Sequence, residues 1–169
     1  MGLFNFGSKP KQKPIPFEEA AKVFGFQTNE FFKKGVNIQY ICPNKSKEYV
    51  ENAFLGAVLG INLYNQYKNI KTERFTEFAT IAAKMLLGLR NTTKENGQIL
   101  LDVFNSMFKE TLDQKISIKE YATKATLAFM VKVQAPNATD FNIIQQLENN
   151  LIKSINLTSN FFDVYYIEY

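Results

Sequence analysis

Apolar residues recur every three or four positions in five successive runs between Tyr49 and Ile155, and that period commits most of the chain to helix. The first run spans about Asn44 to Lys68, with Tyr49/Val50, Ala53/Phe54, Ala57/Val58, Ile61 and Tyr64 on one stripe. The second, about Thr72 to Arg90, repeats with Phe75, Phe78/Ala79, Ala82, Met85/Leu86 and Leu89. Thr92-Thr93-Lys94-Glu95 has capping-box spacing and opens the third, whose stripe is Ile99/Leu100, Val103/Phe104, Met107/Phe108 and Leu112. Ser117-Ile118-Lys119-Glu120 opens the fourth in the same way, with Met130, Val131 and Val133 adding a second apolar side, and Pro136 ends it. The fifth runs from about Thr139 through Phe141, Ile144, Leu147, Leu151 and Ile155. Connections of three to five residues make successive helices antiparallel. The expected fold class is therefore mainly α: an up-and-down bundle of about five main helices within a single domain, residues 17–169, preceded by a flexible basic tail, 1–16.

The flanks depart from this period. A short helix carrying Phe17, Ala20, Ala21 and Phe24 is expected to stop at Gly25, and a further turn from Thr28 to stop at Gly35. Residues 36–42 (VNIQYIC) alternate apolar and polar, a strand pattern closed by Pro43. Residues 160–169 (NFFDVYYIEY) hold five aromatics with Val164 and Ile167, which favours strand. Pairing 36–42 with 161–168 as a small two-stranded ribbon would cover two sheet edges at once.

Composition restricts the chemistry. There is no His among the 169 residues, so no Ser-His-Asp or Cys-His relay, no imidazole base and no His-containing zinc or di-iron site is available. The single Cys, Cys42, forms no internal disulfide and reads as a small buried hydrophobe. No cofactor is called for, and the two arginines, Arg74 and Arg90, read as helix-end ion pairs.

Two acidic pairs nonetheless test for an enzyme. Glu48-x-x-Glu51 lies on the first long helix and Glu110-x-x-Asp113 near the end of the third. Spacing of i, i+3 puts each pair on one face, where two carboxylates can share a magnesium ion. These four residues resemble the Glu-x-x-Glu and Glu-x-x-Asp pairs of the all-α nucleoside triphosphate pyrophosphohydrolases of the MazG-like family. The resemblance implies a magnesium-dependent enzyme acting on nucleotides, and requires the two pairs to converge.

Gly56-Ala57-Val58-Leu59-Gly60 is a Gly-x-x-x-Gly, the mark of a close helix crossing. Ala79, Ala82 and Ala83 on the next helix are its expected partners, with a homodimer contact as the other use. The surrounding apolar run, 53–63 (AFLGAVLGINL), contains Asn62 and falls short of the ~20 residues that span a bilayer. At the N-terminus the lysines follow the apolar residues, the reverse of a secretory signal. The expected location is cytoplasmic.

The net charge of +4 invites a nucleic-acid reading until it is located. Residues 1–16 carry three Lys and no acid; residues 17–169 carry 17 basic and 16 acidic residues. No helix is a basic recognition helix, and no strong nucleic-acid signal remains. The ends are the unusual segments. Leu3, Phe4 and Phe6 followed by Lys9, Lys11 and Lys13 suit a partner protein, or weak contact with an anionic membrane. Phe161, Phe162, Tyr165, Tyr166 and Tyr169 form a heavy apolar load that either folds back on the bundle or binds another chain. The first expectation is thus a non-enzymatic protein-interaction module (adaptor, assembly subunit or accessory factor) with a protein partner or a second copy of itself. The magnesium enzyme is the alternative, and peripheral membrane attachment through the tail the second alternative.

Overall fold

The structure, a computed structural model, describes residues 12–169, the side chain of Lys34 excepted. It is mainly α: six helices in a bundle, a four-residue seventh helix and a two-stranded sheet. The helices are α1 (Phe17–Asn29), α2 (Lys47–Gln66), α3 (Phe75–Arg90), α4 (Lys94–Asp113), α5 (Ile118–Val133), α6 (Phe141–Ser154) and α7 (Phe161–Val164). Side-chain caps start four of them. Ser46, Thr93, Ser117 and Asp140 accept hydrogen bonds from the free first-turn N–H groups of α2, α4, α5 and α6.

Successive helices alternate in direction, as short connections require. The Phe75 ring at the start of α3 meets Tyr67 just past the end of α2, while Arg90 at its far end bonds Asn52 and Glu51 near the start of α2. Helix α4 then runs parallel to α2. Thr92 beside its first turn bonds Asn52, and Gln114 at its other end reaches the Tyr64 carbonyl.

The closest packing is not between successive helices. It joins helices two apart, α2 with α4 and α1 with α3, and glycine makes both crossings. A Cβ on Gly56 would collide with the Leu100 carbonyl oxygen and come within 3.1 Å of the Phe104 nitrogen and the Val103 Cβ. A Cβ on Gly25 would collide with the Ala82 carbonyl oxygen. The Gly-x-x-x-Gly motif therefore faces α4, with Gly60 under the Tyr121 hydroxyl of α5, and not Ala79, Ala82 and Ala83. Those alanines are buried on α3, and the Gly25 contact assigns their helix to α1. Gly25 does not stop the first helix, which continues to Asn29. With α4, α5 and α6 around it, α2 is buried on every side from Asn52 to Tyr64, and forms the axis of the core.

Residues 36–42 are not a strand. Val36 to Ile38 are irregular and Gln39–Ile41 make one 3-10 turn. The Asn37 side chain accepts from the Gln39 N–H, and the Gln39 side chain donates to the Cys42 and Lys45 carbonyls. These polar groups close local turns instead of leaving the backbone extended. The buried set is Ile38, Ile41 and Cys42, a spacing of three and one rather than two. Cys42 is buried as expected, its Sγ 3.3 Å from the Val133 carbonyl oxygen.

The C-terminal strand is present, but its partner is the other end of the chain. β1 (Lys13–Pro16) and β2 (Tyr165–Glu168) form a parallel pair with Lys13 opposite Tyr165 and Ile15 opposite Ile167. The last four residues of the expected tail are therefore in the sheet. Pro14 and Pro16 have no N–H, so only Lys13 and Ile15 can donate from within β1. That fixes the phase of the ladder: Ile15 donates to the Tyr166 carbonyl and accepts from the Glu168 N–H. The N–H and C=O of Ile167, and the C=O of Tyr165, point away from β1.

Candidate interaction site at the paired chain ends

The aromatic segment after Asn160 folds back. Phe161 and Phe162 are buried and meet edge to face at 4.9 Å. The Gln12 side chain donates to the Phe162 carbonyl, tying the incoming N-terminal strand to the outgoing C-terminal one. Ile15 and Ile167, opposite each other, are buried beneath the sheet. Alternation then sends Pro14, Pro16, Tyr166 and Glu168 outward, and all four are exposed. The support behind the fold-back is a buried polar knot. Asn62 on α2 donates to Ser154 and accepts from Thr158 at 2.7 Å, pinning the chain that leads into α7 and β2.

The chain ends on a stack of aromatic rings and cations. The Tyr169 ring packs on Phe17 at 5.6 Å, and Lys71 Nζ lies 4.3 Å from the centre of the Tyr169 ring. The Arg74 guanidinium lies 3.7 Å from the centre of the Phe17 ring and forks onto Glu77. The Lys71 N–H donates to the Tyr169 hydroxyl at 2.6 Å. Burial pushes the Tyr169 phenol above its ordinary value, against the Lys71 hydrogen bond, which favours the ionised form.

Of the residues expected to bind a partner, Lys13, Phe161, Phe162, Tyr165, Tyr166 and Tyr169 are brought together here. Phe161 and Phe162 serve the interior, while Tyr166 and Tyr169 remain 46% and 43% exposed, with Val164 beside them at 45%. Leu3, Phe4, Phe6, Lys9 and Lys11 lie outside the described residues.

The acidic pairs are not brought together. Glu48 and Glu51 stand at the start of α2, Glu110 and Asp113 at the end of α4. Because these helices are parallel, the two pairs sit at opposite ends of the bundle, about 20 Å apart at 1.5 Å per residue. Each also has local cations. Glu51 pairs with Arg90 at 2.7 Å, and Glu110 with Lys124 at 3.6 Å. Among the described residues no group of three His, Cys, Asp or Glu side chains is close enough to hold a metal ion. Likewise, among them no helix is long and apolar enough to cross a membrane.

Sequence reading missed the two most exposed large apolar side chains among the described residues. Phe141 and Val131 are 72% and 69% exposed, and Leu127 one turn from Val131 is 41% exposed. Phe141 matches the period of α6 but precedes its first buried residue, Leu147, by almost two turns. The doubled apolar face of α5 was the available signal for Val131. Compared with protein-family models, curated proteins and solved structures, the chain matches none.

Proposed function

We propose that the protein is a non-catalytic interaction module, an adaptor or assembly subunit, that docks a protein partner on the sheet formed by its two ends. One observation carries this reading. Lys13 and Tyr165, 152 positions apart in the chain, are paired in register, and beside them Val164, Tyr166 and Tyr169 stay close to half exposed. An aromatic side chain with a polar tip suits a surface that is wet when free and covered when bound. Lys13 to Pro16 of the Pro- and Lys-rich N-terminal stretch thus lie beside Tyr165 to Glu168 of the aromatic C-terminal one in a single sheet. The acidic pairs offer no competing site, since they lie at opposite ends of the bundle.

The test is recovery of a stoichiometric partner from the native host with the full chain as bait. Tyr166→Ala, at an exposed position, is expected to lose the partner while leaving the thermal transition within about 1 °C of the parent. A partner retained at full stoichiometry by Tyr166→Ala, and lost instead on Val131→Lys, moves the docking surface to α5 and overturns this reading.

A further inference from the structure

Among the described residues, no strand pairs with the second edge of β2. The proline-fixed ladder turns the C=O of Tyr165 and both polar groups of Ile167 away from β1. The Tyr165 N–H is already used, as the last bond of α7 to the Phe161 carbonyl. Among the described residues, the Tyr165 C=O, the Ile167 N–H and C=O and the Tyr169 N–H have no hydrogen-bond partner, from backbone or side chain. The opposite edge of the sheet is closed, because Pro14 and Pro16 have no N–H to offer a further strand. Among the described residues, the sheet therefore has one strand edge free to pair, reading acceptor, donor, acceptor, donor from the Tyr165 C=O to the Tyr169 N–H.

We infer that a second copy of this chain fills that edge, β2 pairing antiparallel with β2 about a two-fold axis through Ile167. The pattern is self-complementary about this residue. Ile167 exchanges both of its bonds with Ile167 of the second copy, and each Tyr169 N–H meets the other copy's Tyr165 C=O. These four groups on each copy are all satisfied. The result is a four-stranded sheet whose two outer strands are both β1, so prolines close it on either side and the assembly stops at two. In this register Tyr166 lies directly across from Glu168 of the second copy, on the outward face where both are exposed. The pairing thereby also covers the exposed ring of Tyr166.

The inference rests on the paired ends being a docking surface, and the cross-strand pair tests it separately. The full chain and its variants are compared by sedimentation equilibrium across a concentration series at low salt. Tyr166→Glu puts two carboxylates across from each other twice per dimer and is expected to weaken the dimer about tenfold. Tyr166→Lys places a cation opposite Glu168 and is expected to hold or tighten it. The double variant Tyr166→Glu/Glu168→Lys reverses the pair and is expected to restore it. Both positions are exposed, so folding is not at stake. A chain monomeric at all concentrations overturns the inference. So does equal weakening by Tyr166→Glu and Tyr166→Lys, the result for a merely sticky aromatic patch. A monomer that still captures a host protein through Tyr166 overturns the second copy and leaves the docking reading standing.

Discussion

Gly56→Ala and Gly88→Ala are the same chemical change in two helices, and the structure sets them in opposite directions. Alanine is favoured over glycine by about 1 kcal/mol in a helix interior. At Gly88, exposed on α3, an added Cβ meets nothing within 4 Å, so most of that preference is realised as a gain of about 0.5–1 kcal/mol. At Gly56 the added Cβ lands on the Leu100 carbonyl oxygen, with the Phe104 nitrogen and Val103 Cβ at 3.1 Å. Two of these atoms are backbone of α4 and cannot rotate aside, so α2 and α4 must separate along their closest contact. Overpacking of this kind costs about 1–3 kcal/mol, and rigid backbone obstacles put this site at the upper end. Net of the propensity gain, Gly56→Ala is expected to lose about 2 kcal/mol. For a chain of this size that lowers Tm by about 4–8 °C, against a rise of about 2 °C for Gly88→Ala. Thermal unfolding followed by helical circular dichroism reads both. Gly56→Ala at or above the parent Tm would refute the α2–α4 crossing.

Gln134 ends α5 in the left-handed region at φ 57°, where glycine belongs, so Gln134→Gly is expected to stabilise by about 0.5–1 kcal/mol in urea unfolding. Arg90→Ala leaves Glu51 only the more distant Lys47 at 3.8 Å and strands the fully buried Asn52 oxygen, and about 2 kcal/mol should be lost. Arg74→Ala breaks a more exposed pair together with its stack on Phe17 and should cost about 1 kcal/mol on the same measurement. Burial drives the Tyr121 phenol far above its ordinary 10.0, with its hydrogen bond to Thr111 only partly opposing this. The unfolded chain therefore releases that proton first as pH rises, and stability should be full below pH 10 and fall above it. Tyr121→Phe should flatten this alkaline fall, while costing about 1 kcal/mol at pH 7 for the lost Thr111 bond.

The paired ends show how far a site could be read from the chain. Phe161 to Tyr169 announced themselves by an apolar load that water would not tolerate, and Lys13 by a charge that the rest of the chain balances. Their meeting was invisible, because no local signal links residues 152 positions apart. Val131 shows the converse: its apolar neighbours Met130 and Val133 are buried, but which side of α5 stays open depends on where α4 and α6 sit. The acidic pairs illustrate the same gap. Helical spacing put each pair on one face, but only the parallel course of α2 and α4 placed them at opposite ends.

Local chemistry settled the five long helices, α2 to α6. The three-to-four residue apolar period, the caps at Ser46, Thr93, Ser117 and Asp140, and the short connections together dictate antiparallel helices, since each acts over a few residues. Tertiary structure decided which helices touch and which ends join. Residues 36–42 carry a strand pattern but gain no strand, because an extended segment needs a neighbour to bond, and the side chains of Asn37 and Gln39 bond it to itself. Residues 165–168 become a strand because Ile15 arrives beside them with a free N–H. Gly56 is suited to a close crossing by its own lack of a side chain, but only the packing of the whole bundle chose the backbone of α4 to fill the space.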